Sequence, residues 1–199
     1  MLFNLLERRV EKLLTPYRDG IAAAAVPGSG GVAFLGDSIT HMGRWDLLFP
    51  DAHTRNFGIS GETSAQLLGR LAPVISVRPH LILILIGTND LFWGFAPAEI
   101  AQNVAAILAE LKTALPDATI VLQGVMPRAL KYATRIRALN SLYASVAGQA
   151  GVTWLDLFPA FDDGSGKMRA ELSHDGLHLL GAGYSVWKGV LQPLVGPQS

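Results

Sequence analysis

The chain has 199 residues, half of them apolar and 16% charged, with sixteen Lys and Arg against sixteen Asp and Glu. Those proportions suit one packed globular domain, 1–199, and exclude a disordered polymer. Balanced charge without a basic run excludes a nucleic-acid or membrane-surface patch, and the absence of cysteine excludes a disulfide frame, thiolate chemistry and a Cys-based metal site.

The opening segment, MLFNLLERRVEKLL, is interrupted by Glu7, Arg8, Arg9, Glu11 and Lys12. It therefore does not read as a signal peptide, and a cytoplasmic location is the expectation. Leu6, Val10, Leu13 and Leu14 share one side of a helix over about Leu5–Leu14, which is expected to pack on the body. Residues 1–30 read as this helix and a linker ending in PGSGG, Pro27–Gly31. A phosphate-binding loop follows its strand, whereas these glycines precede one, so no nucleotide site is expected.

Short apolar runs follow at Val32–Leu35, Ala52–Phe57, Leu81–Ile86, Thr119–Val125 and Val152–Leu157. The run LILILI has no polar alternation, as expected of a strand buried on both faces of a parallel sheet. It is also far too short to span a bilayer. Between the runs, Ile100, Val104, Ile107, Leu108, Leu111 and Leu115 recur at helical steps, and so do Ile136, Leu139, Tyr143 and Val146. Gly183–Val195 reads as a closing helix that Pro193 ends or kinks. Strands alternating with helices of this length predict an α/β fold with a parallel sheet covered on both faces.

Ligands of such sheets sit beyond the carboxyl ends of the strands. Three strands end in polar groups, Gly36-Asp37-Ser38, Asn56-Phe57-Gly58 and Gly87-Thr88-Asn89-Asp90, and His174-Asp175-Gly176-Leu177-His178 lies near the end of the chain. Each has a plain structural reading: Ser38 as a helix N-cap, Gly58 as a turn glycine, Asn89 and Asp90 as an Asx turn, His178 as a satisfied polar residue. Together, a hydroxyl, a glycine amide, an asparagine amide and an Asp-x-x-His pair are the components of acyl transfer. No G-x-S-x-G pentapeptide is present, which excludes the α/β-hydrolase nucleophile elbow. His174 and His178 are four apart, but no Glu completes a His-Glu-x-x-His zinc site and Gly176 weakens a helix there, so no metal is expected.

The blocks GDSIT (36–40), NFGISGET (56–63), GTND (87–90) and DGLH (175–178) resemble, in order, the motifs of the GDSL or SGNH hydrolase family of esterases and lipases. VMPRALK (125–131) is similar to the intracellular platelet-activating-factor acetylhydrolase subunits of that family. The resemblance implies a three-layer α/β/α fold with a flavodoxin-like five-stranded parallel sheet. It implies Ser38 as nucleophile, His178 as general base, and Asp175 as the group that orients the imidazole. It also implies an oxyanion hole from the Ser38 and Gly58 amides and the Asn89 side chain. No cofactor is implied, and the substrate would be a small carboxylic ester. Neutral imidazole suits a base working near pH 7. Asn89 can donate where an ionised Asp90 would repel an oxyanion.

Asp37 and the aromatic segment Leu91, Phe92, Trp93 and Phe95, read as a loop, are the candidates for contact with substrate. A non-catalytic member that binds a ligand or partner is the alternative reading. The near-zero net charge and the apolar first helix permit a homodimer without requiring one.

Overall fold

The computed structural model describes residues 2–196, with side chains from residue 13 onward. The elements run α1 (Leu2–Ala24), β1 (Val32–Gly36), α2 (Ser38–His41), α3 (Trp45–Leu48), β2 (Thr54–Gly58), α4 (Ser64–Leu68), α5 (Ala72–Val77), β3 (Leu81–Leu85) and α6 (Thr88–Trp93). They continue with α7 (Pro97–Ala114), β4 (Thr119–Gln123), α8 (Ala133–Ala150), β5 (Thr153–Leu155), α9 (Phe158–Phe161) and α10 (Gly181–Val195). The five strands are all parallel, in the order β2-β1-β3-β4-β5.

The two faces of the sheet divide the strand residues by alternation. Ala33, Leu35, Ile82, Ile84, Ile120 and Leu122 join one core with α5, α7 and α8. Val32, Phe34, Leu81, Leu83, Leu85 and Val121 join the other with α3, α9 and α10. This is why LILILI carries no polar alternation: both of its faces are inside. In the second core, the Phe34 ring stacks on Trp45 with centroids 3.9 Å apart, and Trp187 meets Trp45 edge-on at 4.8 Å. The Trp187 indole N–H donates to Gln123 Oε1 at 2.8 Å, so its polar edge is satisfied inside the protein.

The first helix is longer than its apolar spacing predicts, running from Leu2 to Ala24. Leu14 is buried and Ile21 packs against the core, while Leu13 is 69% exposed, so these neighbours do not share a buried side. The side chains of Leu6 and Val10 lie outside the described residues. The last helix continues two residues past Pro193, so the proline falls in its final turn and does not end it earlier. Among the described residues, no helix is long and apolar enough to cross a membrane.

Candidate active site

The β1–α2 junction is shaped by what cannot fit there. A Cβ on Gly36 would stand 2.2 Å from the Leu85 carbonyl oxygen of β3, so only glycine lets the strand end this close to its neighbour. Asp37 is then extended, and its Oδ1 accepts the Ile39 amide at 3.0 Å. Asp37, not Ser38, is therefore the N-cap of α2. The Ser38 hydroxyl is left for another partner, His178 Nε2, at 3.1 Å.

The base comes from the irregular stretch before α10. His178 Nδ1 lies 2.6 Å from Asp175 Oδ2. Asp175 Oδ1 accepts the His178 amide at 2.8 Å, the Leu177 amide at 2.9 Å and the Ser173 hydroxyl at 3.1 Å. Burial would raise the Asp175 pKa, but the hydrogen bonds from the His178 ring and from the two amides outweigh it and hold the carboxyl well below the usual carboxylate range. Ser38, His178 and Asp175 thus form one hydrogen-bonded line, with the imidazole between hydroxyl and carboxylate. His174 is exposed, and no helix runs through 173–180, so it shares no helical face with His178.

Asn89 is the second residue of α6 and donates one Nδ2 hydrogen to the Glu62 carbonyl at 2.9 Å, leaving the other for a ligand. Asp90 faces away from the site. It is buried and accepts the Ser64 amide at 3.0 Å and the Ser64 hydroxyl at 2.6 Å. Burial raises its pKa against those bonds.

The two glycines of NFGISGET have different duties. A Cβ on Gly58 would lie 2.3 Å from the His41 amide nitrogen, so Gly58 is what lets α2 approach β2. Its N–H donates to Asn56 Oδ1 at 2.9 Å and is not available to a ligand in this conformation. Gly61 sits at φ +83 in a turn closed by the Glu62 amide on the Ile59 carbonyl at 3.3 Å. Nothing stands within 4 Å of the position of its missing Cβ, and its N–H has no acceptor among the described residues. The Glu62 carbonyl of the same turn holds Asn89.

Beneath that turn, the buried Glu62 carboxylate receives the Arg70 Nε–H at 2.7 Å and also bonds Arg70 Nη2. Arg70 Nη2 donates on to the Phe57 carbonyl at 2.8 Å, and Arg18 of α1 lies 3.4 Å from Glu62. This network ties α1, the end of β2 and the turn together.

The substrate-contact candidates separate. Asp37 is 1% exposed beneath the rim, and burial raises its pKa to about 7, helped by Asp90 and Glu62 and opposed by the Ile39 amide and Arg128. Leu91–Phe95 is not a loop, since α6 covers Thr88–Trp93. Leu91 is fully buried in the core and Phe95 packs against it. Phe92 and Trp93 remain exposed as an edge-on pair 5.3 Å apart. The crevice between α1 and β2, about 400 Å³, contains none of the candidate site residues.

Arg128, within VMPRALK and beyond the carboxyl end of β4, joins the same rim. Its Nη1 donates to the Thr88 carbonyl at 3.0 Å and the Thr88 hydroxyl at 3.2 Å. Its guanidinium stacks 4.4 Å from the Tyr132 ring centroid. The strand-end rule, applied to the fourth strand as to the first three, points to it.

With this geometry in view, the chain falls into a known class: the GDSL-like lipase/acylhydrolase family model matches residues 34–186, and the chain belongs to that family. It is 32% identical over 165 residues to the platelet-activating factor acetylhydrolase IB subunit alpha2 of Rattus norvegicus, covering 77% of this chain and 71% of that one. The Homo sapiens alpha2 subunit matches with the same identity and coverage. Among solved structures, a GDSL-like lipase from Bacteroides thetaiotaomicron is 25% identical with a TM-score of 0.76, covering 92% of this chain and 96% of the other. TesA is 27% identical with a TM-score of 0.67, covering 83% and 98%.

Proposed function

We propose that the chain is a serine esterase that hydrolyses short-to-medium acyl or acetyl esters through an acyl-enzyme on Ser38. The observation that carries the reading is the line from Ser38 Oγ through His178 to Asp175, at 3.1 Å and 2.6 Å. His178 Nε2 takes the Ser38 proton as Oγ attacks the ester carbonyl, and Asp175 holds the ring so that Nε2 faces the hydroxyl. The tetrahedral adduct collapses as His178 returns the proton to the leaving alkoxide. Water, deprotonated by the same imidazole, then releases the acid and frees Ser38.

The negative charge of the adduct needs donors placed before it forms. The Ser38 amide and the second Nδ2 hydrogen of Asn89 are two of them. Gly61 takes the place that Gly58 holds in the sequence-based expectation. Its N–H is unengaged and its turn is bonded to Asn89, whereas the Gly58 N–H is taken by Asn56. Phe92 and Trp93 are the remaining candidates to meet the acyl chain or leaving group. The acetylhydrolase name of the curated relatives supports a short acyl group.

A series of p-nitrophenyl esters from acetyl upward, run beside Ser38→Ala, tests the reading. The wild type turns over the short members and the variant none. Equal, slow release by both would overturn the esterase and leave the ligand-binding alternative.

A further inference from the structure

We infer that Arg128 is a positioning residue for Asn89, acting through Thr88. The inference rests on the esterase reading above, because it assigns Asn89 the work of an oxyanion donor.

Asn89 is one residue from Thr88 in the first turn of α6, a turn that begins at Gly87 with φ +119. A Cβ on Gly87 would stand 2.8 Å from the Tyr143 hydroxyl, so the entry to the helix is confined from that side. The Asn89 side chain is held at one point, by the Glu62 carbonyl. A single hydrogen bond leaves the amide free to turn about it and does not fix the second N–H. The peptide that carries Asn89 must therefore be fixed from elsewhere. Arg128 does this, because one guanidinium nitrogen donates to both oxygens of Thr88, carbonyl and hydroxyl.

Arg128 is itself well anchored. It is 9% exposed, its guanidinium lies over Tyr132 at 4.4 Å, and its backbone carbonyl accepts the Met168 amide at 3.1 Å. Phe92, in the same helix as Asn89, stands 5.9 Å from the guanidinium. Among the described residues, no carboxylate lies within ion-pair distance of Arg128. Asp37 and Asp175 act on its charge without pairing with it, and a buried guanidinium whose hydrogen bonds go to a carbonyl and a hydroxyl, not to a carboxylate, is a costly way to join two segments if joining them is its only purpose. Its flat guanidinium can lie on the Tyr132 ring while one nitrogen bonds Thr88, a combination that a lysine ammonium does not reproduce.

Displacing a catalytic group by a fraction of an ångström weakens the transition state while leaving ground-state binding nearly intact. Arg128→Ala is therefore expected to lower kcat roughly 10- to 100-fold with KM little changed. The decisive test is a double-mutant cycle with Asn89→Ala on p-nitrophenyl acetate. Removal of Arg128 should cost little further once Asn89 is gone. Arg128→Lys should recover only part of the rate. Equal losses in both backgrounds, or no loss in the wild-type background, would overturn the inference.

If Arg128→Ala fails to fold, Thr88→Val replaces it, with an expected loss of roughly two- to five-fold confined to the background that retains Asn89. A second readout needs no turnover. The Asn89 side-chain amide resonances, identified by their disappearance in Asn89→Ala, should broaden or move in the Arg128 variant. Unchanged resonances would overturn the inference. Ser38→Ala run alongside separates the two claims: if wild type and Ser38→Ala are equally inactive, the esterase reading fails, and the resonances alone decide the role of Arg128.

Discussion

Ser38 is 4% exposed where β1 and β3 meet α2, whereas the side chains of His178 and Asp175 are 35% and 54% exposed on a stretch without regular structure. The buried edge is held by the core. Gly36 touches the β3 backbone, Gly58 admits α2, and the Glu62–Arg70 pair locks the turn that holds Asn89. The exposed edge is held by hydrogen bonds gathered on a single carboxylate, Asp175. Substitutions of the groups that hold the first edge together, Gly36, Gly58 and the Glu62–Arg70 pair, should therefore disturb fold and rate together, whereas Ser38, whose hydroxyl bonds only His178, and the groups of the second edge should affect rate alone.

The largest expected effect is that of Ser38→Ala, which should lower kcat by about a million-fold, the scale for removing a triad nucleophile. Its melting temperature should stay close to that of the wild type. Asp175→Asn is expected to cost about 10,000-fold in kcat, because the imidazole loses the partner that sets its tautomer. Thermal unfolding should barely change, since the carboxylate is half exposed; a marked drop would break the contrast between the two edges.

Glu62→Ala belongs to the other edge and should lose about 3–5 kcal/mol of stability by leaving Arg70 without its carboxylate. Denaturant titration measures this, and a loss under 1 kcal/mol would show that the buried pair does not hold the turn. Asn89→Ala should cost about 3 kcal/mol of transition-state stabilisation, read from kcat/KM. An unchanged value would remove Asn89 from the oxyanion hole.

The smallest effect is a pH dependence. The Asp37 pKa, 3.8 when unperturbed, is raised by burial to about 7. The native state thus binds this proton more tightly than the unfolded chain. The associated stability is fully present below about pH 4 and is lost as the pH rises through about 7. Asp37→Asn should flatten that decline in melting temperature between pH 4 and 8, and a decline as steep as that of the wild type would place its origin elsewhere.

The sheet was legible because its central strands are buried on both faces, so apolar runs survive in the sequence with little interruption. The closing helix was legible for a different reason, since Trp187, Leu191 and Val195 recur at helical steps on one buried stripe. The segment after GTND was not. Leu91 and Phe95 are core residues of a short helix and its exit, and a single turn and a half gives periodicity too little length to register.

Within NFGISGET, the pattern marks a glycine-bearing strand end but does not distinguish a glycine needed for close packing from one needed for a turn. Only the contacts of Gly58 and Gly61 separate them. The sequence alone allows Ser38 as cap or as nucleophile, and Asp37 removes the conflict by capping α2 itself. The position of Arg128 past the end of β4 is legible by the strand-end rule, but its bond to the Thr88 backbone leaves no trace in side-chain spacing, so its role is not.

The most direct test is the covalent one. Wild-type protein mixed with excess p-nitrophenyl acetate is acid-quenched within the first turnover and its peptides weighed by mass spectrometry. The expected result is an added acetyl group on the peptide bearing Ser38, absent from Ser38→Ala and enriched in a variant whose deacylation is slowed. Steady release of p-nitrophenol with the acetyl group on another residue, or with full activity retained by Ser38→Ala, would contradict a nucleophilic Ser38.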